Sequence, residues 1–250
     1  METAGGMIRL SGFIWRLAAA GLLAAAVFQG PGVAAQETTT SYSKIDEETL
    51  RRMAKSGDLR AQFYLGARLS AGNGGTERNP REAVIWLRKS ADQGFPLAQF
   101  SLGILYEQGE GVTRNSDEAL RWYQAAADQG YALAQYNLAV MYEKGDGIPT
   151  NPSLAGKWYM AAAEQGQGKA QYNLGCLYME GRGVGRDLVE SYKWMCLAEA
   201  SGNELAIKGR KLVEALLSKE DRQEGRKRAE QFTEFLRRNK TVTNRDGAGK

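Results

Sequence analysis

Four of the five tryptophans in this 250-residue chain, Trp86, Trp122, Trp158 and Trp194, stand 36 residues apart. Their surroundings recur in the same register. Gly94, Gly130, Gly166 and Gly202 share the spacing, and so do Ala98-Gln99-Phe100, Ala134-Gln135-Tyr136 and Ala170-Gln171-Tyr172, followed by Leu102-Gly103, Leu138-Ala139 and Leu174-Gly175. A further copy, Ala61-Gln62-Phe63 with Leu65-Gly66, precedes these by 37 residues. The extra residue fits in the loop Gly72–Thr76, where a change of length costs little. Self-similarity at such a period marks stacked supersecondary units, each too small to bury its own apolar face, so that neighbours supply the core.

Each unit divides into two apolar-periodic stretches around a glycine-rich loop, for example Leu97 to Gln108, Gly109-Glu110-Gly111, and Ser116 to Gln129. Ala98, Leu102, Leu105 and Tyr106 share one helix face in the first stretch, and Ala119, Trp122, Ala126 and Ala127 do so in the second. The unit is therefore a helix hairpin. Gly66, Gly103, Ala139 and Gly175 fall in the middle of the first helix, where glycine costs roughly 1 kcal/mol against alanine. Close approach of the second helix is the compensating reason. The expected partners are Ala91, Ala127, Ala163 and Ala198, with tryptophan filling the volume beside them. The glycine closing each unit suits a left-handed helix end.

The pattern Ala-Gln-Tyr-x-Leu-Gly-x-Leu-Tyr-x-x-Gly-x-Gly-Val, then Ala-x-x-Trp, then Ala-x-x-Gly resembles the Sel-one-like repeat, a relative of the tetratricopeptide repeat. The resemblance covers four units, 58–94, 95–130, 131–166 and 167–202. It implies an all-α, right-handed superhelical solenoid of antiparallel hairpins. It also implies a function class, since members of the family are mostly adaptors that hold other proteins. By analogy with tetratricopeptide arrays the first helices line a concave surface, which nominates Phe63, Phe100, Tyr136 and Tyr172, the amides Asn137 and Asn173, and the charged Glu107, Glu143, Lys144 and Glu180. Core packing between units is the competing role for the aromatics. Lys169 and Asn173, one turn apart, resemble the pair that grips a partner's C-terminal carboxylate in tetratricopeptide domains.

The ends have their own signals. Residues 1–35 carry Arg9 and Arg16, an apolar run from Leu17 to Phe28, and small residues up to Ala35, the pattern of a secretory signal peptide. The run is short of the ~20 residues of a spanning helix. The expected location is periplasmic or secreted. Ser43 and Asp46 open a capping helix that ends before Gly57, within an N-terminal segment 36–57. Residues 203–238 form C-terminal caps, the last helix opening at Ser218-Lys219-Glu220-Asp221 and carrying Ala229, Phe232, Phe235 and Leu236 on its apolar side. Residues 239–250 have the composition of a disordered tail.

Formal charge is +4, and from Ser218 onward ten basic residues face six acidic ones, so the repeats themselves are near neutral. The basic side chains are interleaved with Glu224, Glu230 and Glu234, which suits a solvated helix or a weak membrane-surface contact and no nucleic-acid interface. Export admits a disulfide between Cys176 and Cys196. The spacing alone does not bring their Cα atoms within the ~5.5 Å of a bridge, and two unpaired thiols are the preferred reading. The disulfide-rich pattern of some family members is absent.

The chain has no histidine. That removes the usual general base and the commonest metal ligand. Carboxylates recur at unit spacing rather than as a pair, and the Gly-x-Gly loops lack the strand before and the Lys-Ser/Thr after that a phosphate cradle needs. The expectation is a non-catalytic protein-binding scaffold or regulatory adaptor with no cofactor and no metal. The alternatives are an enzyme acting on cell-wall material and an envelope component attached through the basic C-terminal helix.

Overall fold

The computed structural model describes residues 42–246. After a helical turn at 42–44 come α1 (Glu47–Lys55), α2 (Leu59–Ala71), α3 (Pro80–Asp92), α4 (Pro96–Gln108), α5 (Ser116–Asp128) and α6 (Ala132–Lys144). Then follow α7 (Pro152–Glu164), α8 (Gly168–Glu180), α9 (Leu188–Ala200), α10 (Glu204–Leu216) and α11 (Lys219–Asp246). The pairs α2/α3, α4/α5, α6/α7 and α8/α9 are the four hairpins. Each first helix also packs on the second helix of the preceding unit, giving an α-solenoid.

The helix ends are written into the repeat. Asn79, Asn115, Asn151 and Asp187, again 36 apart, cap α3, α5, α7 and α9 by accepting first-turn backbone N–H groups, and Pro80 and Pro152 take the first helical position. This second ladder is legible in the sequence. Each first helix of a hairpin ends on a left-handed glycine, Gly72, Gly109, Gly145 or Gly181. The second glycine of the loop answers to a different constraint. Gly111 and Gly183 have positive φ, and a Cβ there would run into the Pro80 and Pro152 carbonyls of the preceding unit.

Buried glutamines join the units. Gln62, Gln99, Gln135 and Gln171 donate to the carbonyls of Ala54, Ala91, Ala127 and Ala163 at 3.0–3.2 Å, each in the last turn of the preceding second helix. Their own carbonyl oxygens accept from Gln93, Gln129, Gln165 and Ser201 at the ends of α3, α5, α7 and α9. Because Ala54 is in α1, α1 stands in place of the second helix of a preceding unit.

Three expectations change. The residue facing the small position of the first helix is the one after each tryptophan: Gly66 meets Leu87, Gly103 meets the Tyr123 ring and Gly175 meets Met195. The indoles turn away, under the cations Lys89, Arg121, Lys157 and Lys193 at 4.2–5.3 Å, and Trp86 and Trp122 donate to Glu82 and Glu118 one turn earlier. Asp46, not Ser43, is the cap of α1. Helix α11 runs on to Asp246, through most of the stretch whose composition suggests disorder.

The last helix leaves the repeat register. Helix α10 occupies the place of a fifth first helix, but α11 packs on α9 instead of on α10. Phe232 lies edge-on to Trp194 at 5.4 Å, and Arg228 pairs with Glu190 at 2.9 Å. The reason is visible on α10: the positions of Gly175 and Tyr172 are filled by Lys211 and Lys208, so the close approach of a second helix is blocked. In the docked arrangement Glu190 pairs with Arg228 of α11 as well as with Lys193 of its own helix, and among the described residues the buried Trp194 Nε1 has no acceptor.

Candidate protein-binding surface

The nominated residues separate into three groups. Phe63 is 1% exposed and lies edge-on to Phe95 at 5.3 Å, so no partner reaches it. Phe100 and Tyr136 are half-buried beside Tyr123 (5.8 Å) and Tyr159 (5.9 Å), and Phe100 also meets Tyr131 of the next unit at 5.2 Å. The aromatic row thus belongs largely to the packing between helices.

Glu107 and Glu143 form the second group. Each accepts the hydroxyl of a tyrosine in its own hairpin, Tyr123 and Tyr159, at 2.6 Å. Asn137 and Asn173, from the following unit, bond to the same hydroxyls. Burial first, and the neighbouring carboxylate second, raise both phenols well above the ordinary tyrosine range. The relay Glu–Tyr–Asn spans two units and pins carboxylate and amide. It occurs twice, because the next copy has Met179 and Met195 in place of Glu and Tyr. Glu180 is out of register with this row; it aligns with Gln108 and Lys144, is exposed and pairs with Arg182 at 3.0 Å.

The third group converges. Tyr136, Lys169, Tyr172 and Asn173 line one open cleft of about 570 Å³ with Glu204 and Leu205, between the N-terminal ends of α8 and α10 and the side of α6. Burial lifts the Tyr172 phenol to about 12, with Cys176 as its hydrogen-bond partner. Cys176 and Cys196 are both free. Cys176 packs against the cluster of Met195, Ala198 and Ala206, whereas Cys196 packs against two other clusters, one holding Trp194 and Leu197 and one holding Tyr192 and Val213. Burial raises both thiols, Cys196 to about 11, so neither is a ready nucleophile.

A row that sequence reasoning missed runs beside the nominated one. Leu97, Ile104, Leu133, Val140 and Cys176 are only half-buried, and Leu205 and Leu212 continue the row on α10, where both are exposed. The signal was available, since these positions also recur at 36. Among the described residues no group of three His, Cys, Asp or Glu could hold a metal ion, and no helix is long and apolar enough to cross a membrane.

Residues 59–95, 96–131, 132–167 and 168–203 each match the Sel1 repeat. Among solved structures, similarity extends to a protective antigen present in uropathogenic Escherichia coli strains and displaying an SLR fold. It is 32% identical with a TM-score of 0.69, over 75% of this chain and 40% of that one. A Sel1 repeat protein from Oxalobacter formigenes is 30% identical with a TM-score of 0.60, over 76% of this chain and 72% of that one. The chain therefore spans well under two thirds of the first of these proteins. No curated protein matches it.

Proposed function

The chain belongs to the Sel1 repeat family, whose members act as protein–protein interaction scaffolds, and we propose that it is a non-catalytic adaptor of the bacterial periplasm or cell exterior that holds a segment of a partner protein. The binding surface is the open side of the first helices, centred on the cleft between α6, α8 and α10. The observation that supports this is the meeting of Tyr136, Lys169, Tyr172 and Asn173 with Leu205 around one cleft. Apolar walls with a few convergent polar groups suit an extended peptide or its C-terminal carboxylate. The leader that motivates export lies in residues 1–35, outside the described residues.

The basic C-terminal helix speaks less for attachment to an envelope. Arg226 donates to the Tyr192 hydroxyl and pairs with Glu214, and Arg228 pairs with Glu190 and Glu224, so much of its charge is spent within the fold.

A photo-crosslinking residue at Asn173, activated in the native compartment and followed by mass spectrometry, tests the site. A discrete captured protein, lost when Lys169 and Tyr172 are replaced by alanine, is the expected result. Equal capture from a crosslinker on the opposite side, at Lys157, would overturn it. Export is checked separately by the N-terminus of the mature protein, expected at Gln36.

A further inference from the structure

Six large apolar side chains are exposed among the described residues, and four of them, Leu205 (58%), Ile207 (40%), Leu212 (63%) and Leu216 (59%), are on α10. At 100° per residue, Leu205, Leu212 and Leu216 fall within an arc of about 40° and span about 16 Å along the axis. They form a straight stripe of three leucines at helical spacing. Beside it, within about another 100° of arc, come Lys208, Ala215, Glu204 and Lys211. The buried face of α10, with Ala206, Gly209 and Val213, adjoins the stripe on its other side, so the leucines stand between that face and the lysine flank.

The charges on α10 are divided in a telling way. Arg210 is committed to Glu199 (2.5 Å) and Glu214 (2.7 Å). Among the described residues Lys208 and Lys211 make no ion pair, and both lie on the polar flank of the leucine stripe. Interior first helices are covered along this flank by their own second helix, but α11 lies on α9 and leaves the flank of α10 open.

The geometry points to an acidic amphipathic helix of a partner protein as the occupant of this face. Its apolar side chains would lie on Leu205, Leu212 and Leu216, and its carboxylates would meet Lys208 and Lys211. A second copy of the chain is disfavoured by the same charges, because pairing α10 with α10 about a two-fold axis sets lysines against lysines over the apolar seam. The proposal deepens the scaffold reading and rests on it only in taking the chain to bind protein. It names the chemistry of the partner and places its anchor at the C-terminal end of the first-helix row.

The probe is a fluorescein-labelled 18-residue amphipathic peptide with leucines at positions three and four apart and glutamates on both flanks. Its twin carries lysines in place of the glutamates. Anisotropy titrations with the full chain at low salt should show binding of the acidic peptide and little of the basic one. Leu212→Asp, at an exposed position that leaves the fold intact, should weaken the acidic peptide by at least about tenfold. The double change Lys208→Glu and Lys211→Glu should reverse the preference, and added salt should weaken both pairings. Circular dichroism and the melting temperature of each variant should match those of the parent. Equal binding of the two peptides, or a preference unmoved by the charge reversal, would overturn the proposal. So would sedimentation showing a dimer that Leu212→Asp dissolves, since the occupant would then be a second copy. Capture at Asn173 with failure of both peptides would remove this inference and leave the scaffold reading standing.

Discussion

A single glycine separates the two ways in which a repeat can depend on this residue. Gly166 and Gly183 both have positive φ, but a Cβ at Gly166 meets nothing within 4 Å, whereas at Gly183 it meets the Pro152 carbonyl; Gly185 has neither constraint. Substitution by alanine should therefore cost almost nothing at Gly185 and about 1 kcal/mol at Gly166 from the left-handed conformation. At Gly183 it should cost more than about 2 kcal/mol, because the preceding unit must also move. Urea denaturation midpoints of the three variants give the order. Tyr159 makes a second residue-scale case. Burial, then its bond to Glu143, raises its phenol in the folded state, while the unfolded chain ionises near 10. A raised folded pKa contributes stability that is intact below pH 10 and lost as pH rises above it. Tyr123, Tyr131 and Tyr172 are raised too, so the protein should lose stability steeply above pH 10. Tyr159→Phe should cost about 1–2 kcal/mol at pH 7, with Arg182 still holding Glu143 at 2.8 Å. The variant should then decline less between pH 10 and 11, a difference that denaturant titrations at both pH values measure.

Among the elements, α11 is the one that leaves the repeat register and docks on α9. Its docking places Phe232 on Trp194, whose indole N–H lacks, among the described residues, the glutamate acceptor that Trp86 and Trp122 have. Phe232 is half-buried, so Phe232→Ala should cost about 1–3 kcal/mol, below the range for a fully buried ring. Water should then reach Trp194, which is 1% exposed in the intact protein. A red shift of part of the tryptophan emission, with greater acrylamide quenching and an unchanged helical signal from the solenoid, is the expected readout. The hairpins were legible because each rests on positions repeated four times, so that apolar period, left-handed glycine and loop agree. The path of α11 was not, because it turns on what is absent from α10: a small residue at the place now held by Lys211. The site was legible in part for a similar reason. Tyr136, Lys169, Tyr172 and Asn173 meet around one cleft, yet Phe63 looks the same in sequence whether it faces solvent or the next unit. Glu180 falls one residue outside the row of Glu107 and Glu143, and periodicity judged by residue type alone does not separate it from them.

At the scale of the molecule, what turns hairpins into one array is the glutamine ladder. Each rung bonds two units through a side chain that is at most 6% exposed, and the series stops at α10, where Ile207 holds the position. A solenoid's stability is close to a sum of unit terms and nearest-neighbour interface terms, so weakening one interface should change cooperativity more than local structure. Gln135→Leu keeps the volume but leaves the Ala127 carbonyl and the Gln165 amide without this partner; Gln165 retains the Gly130 carbonyl at 2.9 Å. Loss of the buried pairing should cost about 1–3 kcal/mol, with the Ala127 bond lost at the junction of α5 with α6 and the Gln165 bond lost inside the hairpin α6/α7. Hydrogen exchange under native conditions then distinguishes coupling from simple loss. In the parent protein the amides of α4 to α8 should open together as the central block, with α1 and α10 opening more easily because each has a neighbour on one side only. In Gln135→Leu the block should divide, α4 and α5 exchanging at one free energy and α6 to α8 at another. A uniform decrease across all five helices would instead show that the junction is held by apolar packing alone, with the glutamines contributing no more to cooperativity than any other buried pair.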